Sequence, residues 1–240
     1  MKVVVVIPTY NEALNLPELV RGLMGQDIPG LEILIVDDNS PDGTGQLAQE
    51  IGQQYPGRIE VVHRSGKLGL GSAYILGFNR ALQKGADHII EMDADLSHPP
   101  ECLPVFLEKC RDADVVAGSR YVPGGKADPS WGLLRRLLSR GGGLYARRVL
   151  GLKVKDPTSG YKCFRRKALE RLSIDRIKSE GFAFQIEMAY ICQKSNLRVV
   201  EVPIFFRDRT KGRSKLSSGI VLEALWRVWE IKGRYRSVSP

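Results

Sequence analysis

The chain has 240 residues, of which 43% are hydrophobic and 26% are charged, with 25 Gly and 13 Pro. This composition is that of an ordinary globular protein and excludes collagen, coiled coil and intrinsic disorder. No apolar run reaches the roughly 18 to 20 residues that a membrane-spanning helix needs, and Met1 leads into a strand-like segment instead of a signal peptide. We therefore expect one large soluble, cytoplasmic domain, with two small domains as the alternative.

The net charge of +9 conceals a difference between the two halves of the chain. Residues 1–120 contain 10 Lys and Arg against 17 Asp and Glu, whereas residues 121–240 contain 26 against 10. An acidic half is typical of a metal site, and a basic half of contact with nucleic acid, anionic lipid or a phosphorylated substrate. The four cysteines form no CxxC pair and the three histidines are scattered, which argues against a zinc site.

The first half alternates β-branched runs with amphipathic helical patterns, as expected for a doubly wound parallel sheet covered by helices. The predicted strands are residues 2–7, 32–36, 59–63, 88–92 and 114–117. The predicted helices between them are residues 14–23, 43–54, 70–84 and 101–109. Ligands of such sheets bind beyond the carboxyl ends of the strands, so the residues after each strand are the first candidates for chemistry.

Acidic residues follow three of these strands. They are Glu12 after the first strand, Asp37 and Asp38 after the second, and Asp93 and Asp95 after the fourth. Carboxylates held close together either have raised pKa values or require a cation, and no basic residue lies within these segments. Two carboxylates separated by one residue at a strand end suit a hard divalent cation, Mg²⁺ or Mn²⁺. The alternative is a pair of solvated loop or helix-capping aspartates.

A glycine-rich segment, residues 66–72, follows the third strand and precedes a helix. Its spacing, GxxGxG, differs from the GxGxxG dinucleotide fingerprint that follows a first strand, which argues against a nicotinamide dehydrogenase. The glycines indicate either close approach of the backbone to a ligand or tight packing against a neighbouring helix.

The second half is organised around basic segments. Residues 131–150 are rich in Leu and Arg and form a basic amphipathic surface, and the glycine triplet 141–143 predicts two short helices or one helix with a break. Residues 180–188 indicate the start of another helix, and residues 199–206 a last strand. Residues 207–215 contain five basic residues suited to a polyanion such as a diphosphate, with a loop that is basic for solubility as the alternative.

The last predicted helix, residues 220–235, carries Trp226 and Trp229 among apolar and basic residues. Trp beside Lys and Arg is typical of a helix at a membrane interface, and packing of this helix on the core is the equal alternative. A nucleic-acid-binding protein is expected to interleave aromatic with basic residues, whereas most Tyr and Phe residues here occupy predicted core positions. The sequence therefore disfavours nucleic acid as a partner.

Eight segments together resemble one family. They are PTYNE, DDNSPDGT, GLGSAYILGF, DADLSHPPE, GSRY, DPTSGYKCFRR, EGFAFQIEM and FRDRTKGRSKL, and they span residues 8–216. The chain is similar to the family 2 inverting glycosyltransferases of the GT-A fold, and in particular to their dolichol-phosphate mannose synthase branch. The resemblance implies a single GT-A domain over residues 1–240, α/β in class, with a mostly parallel central sheet flanked by helices and a C-terminal amphipathic helix.

The resemblance also implies a reaction, namely transfer of mannose from GDP-mannose to dolichyl or another polyprenyl phosphate, with inversion. Residues 1–120 would hold the nucleotide and the metal, and residues 121–240 would face the acceptor and the membrane. Peripheral attachment to the cytoplasmic face of a membrane is implied too, with a small membrane-anchoring subunit as a candidate partner. The alternative is a UDP-sugar donor, glucose or N-acetylglucosamine, or a different acceptor.

Individual residues receive roles from the same resemblance. The nucleotide sugar would contact Pro8, Tyr10, Asn11, Glu12, Val36, Asp38, Asp93, Ala94, Asp95, Arg120, Arg209 and Lys215. The cation, Mg²⁺ or Mn²⁺, would be bound by Asp93 and Asp95, with Ser97 as a third ligand where relatives often have Gln, or with water in its place. The catalytic residues would be Asp95, Arg120, Arg135, Arg209 and Lys215, and the acceptor or sugar would contact Arg135, Ser159, Gln185 and Glu187.

Overall fold

The computed structural model describes residues 1–208 and 218–236, with the backbone alone for residues 218–225. The strands described are β1 (Val3–Thr9), β2 (Leu31–Asp37), β3 (Ile59–His63), β4 (His88–Glu91), β5 (Val115–Ser119), β6 (Lys126–Ala127), β7 (Lys162–Arg165), β8 (Val199–Pro203) and β9 (Phe205–Phe206). The helices described are α1 (Leu16–Met24), α2 (Thr44–Gln54), α3 (Leu70–Gln83), α4 (Leu103–Lys109), α5 (Leu133–Leu150), α6 (Arg166–Arg171), α7 (Gly181–Lys194) and α8 (Ser218–Arg234). The predicted alternation of strands and helices in the first half is confirmed.

Seven strands form one mixed sheet in the order β3-β2-β1-β4-β7-β5-β8. The strands β1 to β4 run parallel, β5 is parallel to β8, and β7 is antiparallel to both of its neighbours. Because side chains alternate along β1, Val4 and Val6 pack with residues of α3 on one face, and Val3 and Val5 with residues of α1 on the other. The sheet is thus mostly parallel and covered on both faces, as the predicted fold class requires.

Two details of the predicted secondary structure were wrong. Helix α5 runs unbroken through the glycine triplet 141–143, although each glycine costs about 1 kcal/mol relative to Ala in a helix. Good helix formers on both sides and the burial of Gly143, Ala146 and Leu150 offset that cost. The strand predicted at residues 199–206 is two strands, of which β9 pairs with β6 in a separate small sheet.

Among the described side chains of helix α8, Val228 and Ile231 are buried on the core, as is Tyr235 just after the helix. Trp226 and Trp229 are exposed. Core packing and an exposed aromatic pair therefore coexist on this helix. Among the described residues, no helix has both the length and the apolar character that crossing a bilayer requires.

Candidate active site

The candidate site lies where three parallel strands end side by side. β1 is flanked by β2 and β4, and the pairing of Thr9 with Asp37 places the carboxyl ends of β1 and β2 at one edge of the sheet. The order of the strands reverses beside β1, which is the position where parallel α/β sheets bind ligands. The segments after these strands are residues 10–12, 38–40 and 92–95, and together they form what we call the acidic rim.

Hydrogen bonds join the segment after β1 to the segment after β2. The amide of Asn11 donates to Oγ of Ser40 at 3.1 Å, and the amide of Glu12 donates to Oγ1 of Thr44 at 2.9 Å. The hydroxyl of Ser40 in turn donates to Oδ1 of Asp37 at 2.6 Å. These bonds fix the backbone of two predicted nucleotide contacts before any ligand binds.

Three further predicted nucleotide contacts lie at the ends of β1 and β2. Pro8 and Val36 are register partners in these strands, and both are buried. Tyr10 is half-buried, and Nζ of Lys67 lies 4.3 Å from the centroid of its ring. A cation over an aromatic face at this distance is favourable. The structure therefore brings these residues together beside the acidic rim.

Asp38 is neutralised by a residue that lies outside the acidic segments. Nη1 of Arg64 is 2.7 Å from Oδ1 of Asp38, and both side chains are almost completely buried. The amides of Leu68 and Gly69 donate to the other carboxylate oxygen at 3.0 and 3.1 Å. The cation that pairs with Asp38 thus comes from a different loop, whereas the sequence analysis considered basic residues within the acidic segments alone. A nucleotide contact by Asp38 competes with these partners.

Two of the three glycines in the glycine-rich segment, Gly69 and Gly71, are tightly packed, whereas a Cβ atom on Gly66 would meet no atom within 4 Å. Oε2 of Glu180 accepts a hydrogen bond from the amide of Gly71 at 2.7 Å, at the start of α3. A Cβ atom on Gly71 would lie 2.6 Å from the carbonyl oxygen of Ser179, which is too close for any side chain. Packing therefore accounts for Gly71, and the close approach of a ligand to this segment stays a prediction.

Residues 93–98 form a turn after β4, which we call the acidic turn. The hydroxyl of Tyr74 donates to Oδ1 of Asp93 at 2.9 Å, and burial raises the pKa of Tyr74, so that it stays a donor. Ser97 donates to Oδ1 of Asp95 from its amide at 3.1 Å and from its hydroxyl at 2.5 Å. Ser97, the predicted third metal ligand, is fully buried and orients Asp95; Ala94 is buried in the core.

The carboxylate oxygens of Asp93 and Asp95 are the metal ligands that this turn can provide. Within the described ranges, no group of three or more His, Cys, Asp or Glu side chains is arranged to hold a metal. Mg²⁺ keeps several waters and commonly uses one or two protein carboxylates together with the phosphates of a substrate. The two aspartates therefore fit a cation shared with a diphosphate, and they do not fit a site built from protein ligands alone.

Arg120, at the end of β5, is held by a buried carboxylate. Its Nε and Nη2 donate to Asp156 at 2.8 and 2.7 Å, and Nη2 also donates to Oγ1 of Thr158 at 2.7 Å. Burial acts to raise the pKa of Asp156, but the charge and hydrogen bonds of Arg120 outweigh it and lower that pKa below its ordinary value. Two of the three guanidinium nitrogens are thus used to fix the loop that begins at Asp156.

Arg135 lies in the first turn of α5 and is paired as well. Its Nη1 donates to Oδ1 of Asp208 at 2.8 Å, and its Cζ lies 4.0 Å from the centroid of the Trp131 ring. Ring contacts continue from Trp131 to Phe206 at 5.6 Å and from Phe206 to His98 at 5.5 Å. A continuous path of contacts therefore connects the start of α5 with the acidic turn.

A buried lysine that the sequence analysis missed holds Ser159 and Gln185, two residues predicted to contact the acceptor substrate or the sugar. Nζ of Lys162 donates to the carbonyl oxygen of Ser159 and to Oε1 of Gln185, and it lies 3.7 Å from Glu91. Ser159 and Gln185 are both almost fully buried. Burial raises the pKa of Glu91 to about 7, against the opposing charge of Lys162. No local sequence signal predicts this group, because it depends on the pairing of β7 with β4.

Glu187, predicted to contact the acceptor or sugar, anchors the C-terminal helix. Its Oε1 accepts hydrogen bonds from Arg234 and from the hydroxyl of Tyr235, the latter at 2.9 Å. Its Oε2 accepts from the amide of Ser179 at 3.1 Å. These contacts give Glu187 a role in fixing α8. Arg209 and Lys215, predicted to close over the diphosphate, lie outside the described residues.

The first half of α5, residues 133–140, exposes apolar and basic side chains, and we call it the exposed part of α5. Leu133, Leu134 and Leu137 have exposed fractions of 78%, 71% and 69%. Arg136 and Arg140 line a cavity of about 320 Å³ beside this helix. The cavity is also lined by Arg120, Tyr121, Lys126 and Trp131. The surface therefore combines large apolar side chains with a basic recess.

Known proteins are similar to this chain over most of its length. The model of glycosyl transferase family 2 matches residues 4–173. The chain is 45% identical to the undecaprenyl-phosphate mannosyltransferase of Micrococcus luteus, over 99% of this chain and 98% of the relative. It is 44% identical to the polyprenol monophosphomannose synthase of Mycolicibacterium smegmatis, over 97% of this chain and 88% of the relative.

A solved structure shares the fold. It is the glucosyl-3-phosphoglycerate synthase of Mycobacterium tuberculosis in complex with Mn²⁺, UDP-glucose and phosphoglyceric acid. The match has a TM-score of 0.68 at 19% identity and covers 97% of this chain and 80% of the other. At this identity the likeness concerns the fold alone.

Proposed function

The chain belongs to glycosyltransferase family 2, and from this premise we propose that it transfers mannose from GDP-mannose to the phosphate of a polyprenol. The bond from the anomeric carbon to GDP breaks as the bond to the acceptor phosphate forms, which inverts that carbon and gives polyprenyl β-mannosyl phosphate and GDP. The observation that carries the proposal is similarity over nearly the whole chain to two relatives whose names specify mannose and a polyprenol.

On the donor side, the nucleotide would lie along the acidic rim, with Mg²⁺ or Mn²⁺ held between its diphosphate and the carboxylates of Asp93 and Asp95. When bound, the cation supplies positive charge to the departing diphosphate. Tyr74 and Ser97 already orient the two carboxylates, so little reorganisation is needed when the donor arrives. The Mycobacterium tuberculosis relative was solved with Mn²⁺, which supports a divalent cation in this fold.

On the acceptor side, the phosphate needs no strong general base. A phosphate monoester has a second pKa near 6, so its attacking oxygen is largely ionised at neutral pH. Catalysis then consists of placing that anion beside the anomeric carbon and compensating charge on the departing GDP. Arg120 and Arg135 would contribute positive charge near the acceptor, and Arg209 and Lys215 would close over the diphosphate.

The exposed part of α5 and the tryptophans of α8 would rest on the cytoplasmic face of a membrane. Nε1 of Trp229 donates to the hydroxyl of Tyr145 at 2.8 Å, which joins α8 to α5 in one surface. Leucines and tryptophans suit the apolar side of the interface, and arginines are attracted to anionic lipid by about 1 kcal/mol each. A small membrane-anchoring subunit is a further candidate partner, and vesicle binding by this chain alone would show that attachment does not need it.

The test is transfer of labelled sugar to a polyprenyl phosphate in detergent with Mg²⁺, from GDP-mannose in parallel with UDP-glucose and UDP-N-acetylglucosamine. We expect lipid-soluble product from GDP-mannose only, and a loss of about 100-fold or more in Asp95→Ala. Asp112→Asn, a change at an exposed aspartate in the loop before β5, is the matched control and should retain full activity. Product from a UDP-sugar alone would overturn the donor assignment, and Asp95→Ala activity equal to wild type would overturn the site.

A further inference from the structure

His98 lies in the acidic turn and has no role in the function proposed above. Its ring is buried, with 1% of the residue exposed. Nδ1 accepts a hydrogen bond from the backbone amide of Asp93 at 3.0 Å. An imidazole nitrogen accepts only when it carries no proton, so the lone pair of Nδ1 is directed at Asp93 and the proton is on Nε2.

The surroundings of the ring favour this neutral form. His98 stacks on Tyr161 with centroids 5.0 Å apart and meets Phe206 edge-on. Nε2 has no hydrogen-bond partner among the described residues, which costs about 1–3 kcal/mol for a buried donor. The buried imidazole therefore carries an energetic cost, and the hydrogen bond of Nδ1 with the amide of Asp93 explains why a polar ring occupies this position.

The turn that this bond closes is strained. Leu96 has a φ of 64°, a left-handed conformation that costs about 1–3 kcal/mol for a residue with a side chain. Such a conformation persists only where surrounding contacts determine it. Ser97 holds the carboxylate of Asp95, Tyr74 holds the carboxylate of Asp93, and His98 holds the peptide of Asp93.

Gly160 limits the space on another side of the turn. A Cβ atom there would lie 3.4 Å from Cε1 of His98 and 3.4 Å from Oδ2 of Asp93. The ring and the carboxylate thus border the same small space, and a shift of one alters the room left for the other. Movement of His98 is therefore expected to reach Asp93 through the hydrogen bond to its amide.

We infer that His98 is a positioning residue, whose Nδ1 lone pair holds the peptide of Asp93 and thereby sets the direction of the first carboxylate of the acidic turn. The inference relies on the proposed function for what Asp93 binds, but not for the hydrogen bond itself. It differs from a packing role because it depends on one acceptor atom at the position of Nδ1.

A matched pair of variants separates these roles. His98→Asn and His98→Gln both remove the stacked ring, but the amide of Asn reaches the position of Nδ1, whereas that of Gln reaches the position of Nε2. We expect calorimetric titration with Mn²⁺ in the presence of GDP to give His98→Asn an affinity within about threefold of wild type, and His98→Gln an affinity about 10- to 100-fold weaker. Mannose transfer should show the same division in the Mn²⁺ concentration for half-maximal rate.

Thermal unfolding of the two variants is the control for folding and should show similar losses, because both lack the ring. Equal Mn²⁺ affinity in wild type and both variants, or an equal loss in both variants, would overturn the inference. Failure of wild type to bind Mn²⁺ with GDP would instead contradict the metal site of the proposed function. In that case the amide proton resonance of Asp93 decides: His98→Asn should retain the hydrogen-bonded shift that His98→Gln loses, and any other result overturns the inference.

Discussion

The acidic rim and the exposed part of α5 differ in whether their side chains find partners within the protein. In the rim, side chains are paired within the protein, as Asp38 is with Arg64 and Asp95 with Ser97. In the exposed part of α5, Leu133 and its neighbouring leucines are largely exposed. A rim that is fixed in advance suits a small charged ligand, because it loses little entropy on binding. An exposed apolar helix suits a large surface supplied from outside the protein.

Two ion pairs of the same chemistry test the underlying contrast between charged groups that are fixed in the protein and groups that are open to solvent. Arg120 and Asp156 form a buried pair, whereas Arg135 and Asp208, at the start of α5, are a quarter to a third exposed. Asp156→Ala leaves a buried guanidinium without a counter-charge, so we expect the free energy of unfolding to fall by about 3–5 kcal/mol. Urea denaturation of the purified protein measures this change.

Asp208→Ala is the matched control for that experiment. Its partner Arg135 is partly solvated and also contacts the ring of Trp131, so the expected loss is at most about 1 kcal/mol. Equal losses in Asp156→Ala and Asp208→Ala would show that the buried pair is no more tightly fixed than the pair at the start of α5, and would contradict the contrast between fixed and exposed groups.

The second prediction concerns the surface that α5 is proposed to meet. Leu134→Gln together with Leu137→Gln should weaken binding to anionic lipid vesicles by about tenfold for each leucine, since burial of a leucine contributes about 1.5–3 kcal/mol. Sedimentation with vesicles of phosphatidylglycerol and phosphatidylcholine measures the partition coefficient. Leu76→Gln with Val105→Gln, at partly exposed apolar positions on α3 and α4, is the control and should leave binding unchanged.

Salt separates the arginine contribution from the leucine contribution in the same assay. High ionic strength screens the attraction of Arg136 and Arg140 to anionic lipid but leaves the burial of leucine almost unaffected. We expect wild-type binding to weaken as salt rises, and binding that is insensitive to salt would contradict the electrostatic account. Unchanged binding by the double leucine variant would argue against α5 as the contact surface.

Much of the fold could be predicted because it depends on local signals. Runs such as the one in β1 are β-branched and bounded by polar turns, and their parallel arrangement follows from the helices between them. The sequence analysis missed β7, whose residues Lys162–Arg165 contain no β-branched side chain. Its place between β4 and β5 is set by long-range pairing, which no local pattern encodes.

The candidate site divides in the same way. The position of Asp93 and Asp95 at a strand end could be predicted, because the end of a strand is a local feature. The residues that pair with the site could not be predicted from local sequence. Arg64 reaches Asp38 from the loop after β3, and Lys162 of β7 donates to Gln185 of α7. Sequence identifies the charged groups, and tertiary contacts decide which of them are paired within the protein.

The smallest predicted effect is the change in stability when a glycine is replaced by alanine. Its expected sign differs between α5 and the neighbourhood of the acidic rim. At Gly142, on an exposed turn of α5, an added Cβ meets no atom within 4 Å, so Gly142→Ala should stabilise the protein by about 0.5–1 kcal/mol through the entropy of the unfolded chain. At Gly71, beside the rim, the added methyl would press on the carbonyl oxygen of Ser179, and Gly71→Ala should destabilise. Differential scanning calorimetry compares the two variants with wild type. A gain for both would mean that the packing around Gly71 can yield, and a loss for both would mean that α5 needs its glycines for a purpose other than packing.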